Sequence, residues 1–168
     1  MGTISNLNAT GNVFTMNNGL INNYNARGTA QMLNNGHVEN LFQTDNTFTM
    51  NNGSINNATL FAGDNNNVGF QNNGFVNKID ADVFSRANTG FINIQNAGQI
   101  NSVDMFDNVP PPPQPPRSSD LITLNNLATG HINNVNAGTS GLGMNIINNW
   151  GAIEALTASG NTNIWNWA

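Results

Sequence analysis

Phe14-Thr15-Met16-Asn17-Asn18-Gly19-Leu20-Ile21-Asn22-Asn23 returns 34 residues later as Phe48-Thr49-Met50-Asn51-Asn52-Gly53-Ser54-Ile55-Asn56-Asn57, with nine of ten positions identical. A degenerate copy, Gln31-Met32-Leu33-Asn34-Asn35-Gly36-His37-Val38-Glu39-Asn40, sits midway, so the unit is 17 residues. Self-similarity at a fixed short period marks chains in which one unit lies on the next, which removes most ordinary topologies from consideration. Looser copies follow at Asn72-Asn73-Gly74-Phe75-Val76-Asn77, Asn96-Ala97-Gly98-Gln99-Ile100-Asn101 and Thr129-Gly130-His131-Ile132-Asn133-Asn134. Gly11, Gly28, Gly90 and Gly138 divide units into halves, so a turn falls every eight or nine residues.

Segments of that length, rich in Phe, Ile, Val and Thr and punctuated by Asn-Gly, read as strands. One position in the second half of each unit is always β-branched and apolar: Ile21, Val38, Ile55, Val76, Ile100 and Ile132. The residue before it varies through Leu20, His37, Ser54, Phe75, Gln99 and His131. Alternation along a strand therefore predicts that the first set faces inward and the second outward. By the same parity, Phe14, Gln31, Phe48 and Met16, Leu33, Met50 are expected inward and Thr15 and Thr49 outward, with register slips near Phe70 and near Ile92 and Ile94.

Two all-β architectures compete. Asn-Gly between apolar runs is a strong hairpin signal, which supports an antiparallel meander or sandwich. A β-solenoid of 17-residue, two-strand coils also explains identity at 17 and 34, because equivalent residues then sit ~4.8 Å apart along the stack. It accounts for composition too. The chain has 38 Asn in 168 residues but only 4 Lys+Arg and 9 Asp+Glu. Stacked amides hydrogen-bond to one another, whereas like charges directly opposite each other repel. Asn23, Asn40 and Asn57 are expected to form one inward ladder. The stacking and assembly set is Asn18, Gly19, Ile21, Asn23, Asn35, Gly36, Val38, Asn40, Asn52, Gly53, Ile55, Asn57, Asn73, Gly74 and Val76.

The chain divides into an Asn/Gly-rich β-repeat domain over 1–108, a polyproline linker over 109–119 and a C-terminal repeat with a cap or subunit-contact segment over 120–168. About five coils fit between Gly11 and Asn108, and Leu121 to Ala137 supplies a sixth. Pro110-Pro111-Pro112-Pro113-Gln114-Pro115-Pro116 lacks ladder donors and is expected in polyproline II, spanning ~22 Å. It serves either as a spacer or as a strap that carries the following segment back along the coils or across to a neighbouring subunit. Asn149 to Thr157 reads as a short helix through Trp150, Ile153 and Leu156, and Trp165 and Trp167 share a face if extended. Pro110, Pro113, Pro116, Trp150, Trp165 and Trp167 are thus the candidate subunit contacts.

Chemistry-bearing patterns are scarce. Nucleophile-elbow, phosphate-loop, zinc and EF-hand motifs are absent, and with no Cys there is neither a thiol nucleophile nor a disulfide. Neither cofactor nor metal is expected, and the chain reads as a non-enzyme. Four basic residues cannot track a phosphate backbone, which argues against nucleic acid. No apolar run reaches the ~18 residues of a membrane helix. The opening Met1-Gly2-Thr3-Ile4-Ser5-Asn6 has no basic or apolar leader pattern. His37 and His131 occupy equivalent outward positions. Lys78, Asp80, Asp82 and Arg86 form the one local charge cluster. Asp80 and Asp82, alternating onto one face, are the pair that glycoside hydrolysis or calcium would need. An insertion loop between Gly74 and Gly90, where the repeat lengthens and charges need not stack, is the more ordinary explanation of the cluster. Outward Thr15 and Thr49 are interrupted by Met32, against the flat threonine array of an ice-binding face.

The Gly-x-Ile-Asn-Asn units at Gly19–Asn23, Gly53–Asn57 and Gly130–Asn134 resemble those of bacterial secreted β-solenoid adhesins of the filamentous haemagglutinin type. The short Asn- and Gln-bearing repeats are also similar to the curlin class of functional amyloid subunits. The likeness covers roughly residues 11–138 at repeat level and implies an extracellular or cell-surface protein with no catalytic residues to carry over. The expectation is a structural, self-assembling subunit of a biofilm fibre or surface adhesin, joined end to end through sheet edges. Its partner would be itself. A glycan-binding module and a polysaccharide-acting enzyme are the alternatives.

Overall fold

The computed structural model describes residues 2–85, 89–107, 120–139 and 143–167, which form sixteen strands and no helix. The odd-numbered strands are β1 (Thr3–Thr10), β3 (Leu20–Arg27), β5 (His37–Thr44), β7 (Ser54–Ala62), β9 (Phe75–Val83), β11 (Gln99–Asp107), β13 (His131–Thr139) and β15 (Ala152–Ala158). The even-numbered strands are β2 (Phe14–Asn17), β4 (Gln31–Asn34), β6 (Phe48–Asn51), β8 (Asn67–Asn72), β10 (Phe91–Asn96), β12 (Leu121–Asn126), β14 (Met144–Asn149) and β16 (Thr162–Asn166). Each set makes one 8-stranded sheet in chain order, and every pairing is parallel. Each coil thus gives one strand to each sheet. The molecule is a two-sided β-solenoid of about seven turns, roughly 34 Å tall at the usual strand spacing.

Apolar columns fill the space between the sheets. Ile4, Ile21, Val38, Ile55, Val76, Ile100, Ile132 and Ile153 stack in register, and so do Leu7, Tyr24, Leu41, Ala58, Ile79, Val103, Val135 and Leu156. In the odd sheet the inward positions are three apart at one place. Asn22 and Asn23 both face outward between buried Ile21 and Tyr24, and the same break recurs in each coil. That recurrent break explains a misreading. Ile153 and Leu156 have helical spacing, yet they lie on strand β15, where they continue these two columns. The expected helix over Asn149 to Thr157 is therefore a strand.

The even sheet has the opposite parity to that expected from sequence. Phe14, Gln31 and Phe48 face solvent, as does Met16, with Leu33 and Met50 partly covered, while Met32, Thr49 and the last residue of each strand are buried. The reason is the asparagine that ends each even strand. Its amide has to point inward to serve the turn, and strand alternation then turns the residues one and three places earlier outward. The hydrophobicity of Phe14 and Met16 is outweighed by the demand of a buried polar network.

The sheets continue past the proline-rich stretch, since β12 lies directly on β10 and β13 on β11. Pro110, Pro113 and Pro116 themselves lie outside the described residues, as does Arg86.

Candidate functional site: ladders and open edges

One column of asparagines runs through the whole stack. The Nδ2 of Asn17 donates to Asn34 Oδ1 at 2.8 Å, Asn34 to Asn51 at 2.7 Å and Asn51 to Asn72 at 2.8 Å. The series continues from Asn72 to Asn96 and Asn96 to Asn126, both 2.9 Å, then Asn126 to Asn149 and Asn149 to Asn166, both 2.8 Å. From Asn17 to Asn126 each amide also reaches the backbone across the turn. Asn34, Asn51 and Asn72 donate to the carbonyls of Ser54, Phe75 and Gln99 at 3.1 Å. Asn17, Asn34 and Asn72 accept from the N–H of their own turn glycines, Gly19, Gly36 and Gly74. Between them the amides satisfy buried groups that would otherwise each cost about 1–3 kcal/mol.

This ladder was missed in the sequence reading, although a signal was present. In Asn17-Asn18-Gly19 through Asn72-Asn73-Gly74 both asparagines recur, but in Asn96-Ala97-Gly98 and Asn149-Trp150-Gly151 only the first survives. The position that never varies is the one that is buried.

The asparagines named from sequence form ladders on the outside. Asn23 donates to Asn6 at 2.9 Å, and Asn40 to Asn23 and Asn57 to Asn40 at 3.1 Å, all on the exposed face rather than inward as expected. Asn35, Asn52 and Asn73 donate in turn to Asn18, Asn35 and Asn52 at the turn itself. Ile21, Val38, Ile55 and Val76 lie in the core. At Gly19, Gly36, Gly53 and Gly74 an added Cβ would drive into the backbone carbonyl of the glycine one coil below. Close stacking, more than turn conformation, excludes any side chain there.

Among the described residues charge is confined to the odd sheet and the corners; the even strands carry none. Lys78, Asp80 and Asp82 lie on strand β9, so the cluster belongs to the sheet rather than to a loop. Asp80 and Asp104 stack in register as like charges, and Lys78 bridges them at 2.8 Å and 3.4 Å. The Lys78 ammonium is held above its ordinary pKa, chiefly by the Asp80 hydrogen bond. His37 and His131 pair with Glu39 and Glu154 at 3.2 Å and 3.0 Å. Hydrogen bonds from Asn56 and His37 lower the Glu39 pKa. At another corner, Asp107 and Asp120 are buried; their carboxyls accept from the N–H groups of Gly143 and Gly90. Burial first, and the charge of Asp120 next, push the Asp107 carboxyl up to about 6. Among the described residues no group of three or more His, Asp or Glu is placed to hold a metal, and no helix is long and apolar enough to cross a membrane.

The two ends are cross-sections of the same columns. Ile4 is 45% exposed where Ile21 is 1%, and Ile164 is 45% exposed where Ile147, one coil below, is 0%. Leu156 is exposed above buried Val135 in the same way. Edge strands β1, β2 and β16 carry no charge, and β15 has Glu154 alone. Sheet edges are commonly protected by charge, proline or a covering element, and among the described residues Glu154 is the one such device on these four strands. Near the last edge, Trp150 and Trp167 stack with centroids 6.4 Å apart and planes at 10°, while Trp165 projects from β16.

No protein-family model matches the chain, and neither a curated protein nor a solved structure does.

Proposed function

We propose that this chain is a structural subunit that stacks end to end into a fibre, acting outside the cell or at its surface in a matrix or in attachment. The observation that carries the reading is the match between the two open edges. Advancing the coil register by one step sets β15 against β1 of the next copy, with Ala152 beside Thr3, Ile153 beside Ile4 and Leu156 beside Leu7. It also sets β16 against β2, with Asn166 beside Asn17. The Asn166 amide would donate to Asn17 of that copy, extending the buried ladder, and the end columns would be buried as they are mid-stack. Such a contact is heterologous and does not close, so it propagates. The extracellular setting is supported by the resemblance of the Gly-x-Ile-Asn-Asn units to those of secreted solenoids.

Electron microscopy of the purified chain at neutral pH tests the joint. Unbranched fibres are expected, and Leu156→Lys/Ile164→Lys, which plants charges in the exposed end columns, should leave short particles. Persistently monomeric wild-type protein would overturn it. A glycan-binding reading has one observation of its own, the exposed Trp150–Trp167 stack, since paired indoles suit a sugar face. Saturable quenching of Trp fluorescence by polysaccharide would favour that reading.

A further inference from the structure

The outer face of the even sheet has properties the end edges do not explain. Its outward residues form two columns that run the full height, beside a shorter one of Asn67, Phe91, Leu121 and Met144. One is Phe14, Gln31, Phe48, Gly69, Asn93, Thr123, Ile146 and Asn163, and the other is Met16, Leu33, Met50, Gln71, Gln95, Asn125, Asn148 and Trp165. No charged residue occurs in any of its eight strands, although the odd sheet carries Arg27, Glu39, Lys78, Asp80, Asp82, Asp104, Asp107 and Glu154. Both sheets stack at the same spacing, so the repulsion of repeated charge cannot explain why only one of them is uncharged. At one end the uncharged face is also greasy. Phe14 and Met16 are 64% and 57% exposed, and Phe48 38%.

We propose that this face is a lateral interface with the same face of a second copy, the two stacks running in the same direction about a two-fold axis parallel to them. Size and pattern both favour that occupant. Seven strand spacings by about five residues of strand give roughly 600 Å² per copy, so a pair covers about 1,200 Å², the lower end of specific interfaces. A two-fold along the stack sets one column against the other, row by row. Phe14 meets Met16 of the second copy, Phe48 meets Met50, Asn93 meets Gln95 and Thr123 meets Asn125. At Gly69 the face has a groove of about 450 Å³ walled by Phe48, Phe70 and Asn93, and the residue this axis brings to it is Gln71. The rows of Gln31, Ile146 and Asn163 stay mixed. A two-fold across the stack does worse, since it turns Phe14, Leu33, Phe48 and Met50 onto Asn163, Asn148, Thr123 and Asn125. The lateral contact does not depend on the end-to-end joint.

Sedimentation of the full chain carrying Leu156→Lys/Ile164→Lys separates the two contacts, because both changes lie at the end edge. This chain should be a dimer. Adding Met16→Lys and Met50→Lys at surface positions should raise its dissociation constant tenfold or more, with the far-ultraviolet circular dichroism unchanged. A second measurement uses the absence of cysteine. Facing sheets lie about 10 Å apart, so a short bifunctional thiol reagent should join an equimolar mixture of Gln31→Cys and Leu33→Cys chains and leave either variant alone largely unjoined. This readout is taken per pair of faces and holds whether or not the ends join. A monomeric end-blocked chain, a dimer indifferent to the two lysines, or equal joining of the single variants would each overturn the proposal. A face shielded in the monomer by the chain's own 109–119 segment would overturn it as well.

Discussion

Replacing Asn51 by Ala tests whether the buried ladder, rather than the exposed ones, holds the coils together. Asn51 is fully buried, accepts from Asn34 at 2.7 Å, and donates to Asn72 at 2.8 Å and to the Phe75 carbonyl at 3.1 Å. The neighbours keep part of their bonding. Asn34 still donates to the Ser54 carbonyl, and Asn72 still accepts from Gly74. The loss is therefore about three hydrogen bonds at ~1 kcal/mol each, or ~3 kcal/mol. Asn57→Ala is the control. Its bond to Asn40, at 3.1 Å on the exposed face, can be replaced by water, so its cost should be ~0.5 kcal/mol. Urea denaturation followed by circular dichroism compares the two. Because repeat stacks unfold from neighbour to neighbour, hydrogen exchange should also locate the weakening at β4, β6 and β8. Equal losses in the two variants, or protection lost uniformly along the stack, would refute the distinction between inner and outer ladders.

Gly53→Ala should destabilise by about 3 kcal/mol or more, because its Cβ meets backbone that cannot swing aside. Gly63→Ala, whose nearest neighbour is 3.6 Å away, should stay near neutral; comparable thermal melts would count against the close-stacking argument. Asp107 predicts a pH dependence. A carboxyl whose folded pKa is raised from 3.8 to about 6 contributes stability that is full below ~4 and is lost as pH rises through ~6, by up to ~3 kcal/mol. Urea midpoints should accordingly fall between pH 4.5 and 7.5, and Asp107→Asn should flatten the slope; a rising profile would contradict the assignment. Lys78→Met leaves Asp80 in register with Asp104. It should cost about 0.5 kcal/mol at low salt and less at high salt, given how exposed the group is, and a salt-independent loss in denaturation would exclude the ion-pair explanation.

The stacking order was legible because three successive coils repeat without insertion. Ladder partners 17, 34 and 51 are 17 residues apart, which no meander would require. Side-chain direction was legible only at the odd-sheet column where Ile21, Val38 and Ile55 are apolar in every copy, and not at Asn23, Asn40 and Asn57 of the same strands, which face outward. In the even sheet apolar Phe14 and Met16 alternate with polar Thr15 and Asn17, and hydrophobicity alone gives the wrong parity. What decides it is that an asparagine able to satisfy both its neighbours and a turn is more valuable inside than a phenylalanine. Helical spacing at Ile153 and Leu156 misled for a related reason: the outward pair at Asn22 and Asn23 recurs in every odd strand and imposes a three-residue step that has nothing to do with helix.

The later coils blurred because the two corners obey different rules. From the ladder asparagine to the next odd strand there are two residues in nearly every coil, as at Asn17 to Leu20, Asn72 to Phe75 and Asn149 to Ala152. That corner is fixed by the amide reaching across it and by a glycine with no room for a side chain. The opposite corner carries no continuous amide ladder among the described residues and accepts very different chain lengths, from Asp45–Thr47 to the stretch between Asp107 and Leu121. Ladder spacing accordingly drifts to 21, 24 and 30 residues and comes back to 17 at Asn149–Asn166. Any insertion that leaves the Asn-x-Gly corner intact should be tolerated at the other, so the proline-rich segment need not interrupt the stack. By the same logic the unit that matters in the proposed end-to-end joint is the fixed corner. Asn17 at one end and Asn166 at the other are separated by a whole number of coils, and that equivalence, independent of sequence length between them, is what such a joint would use.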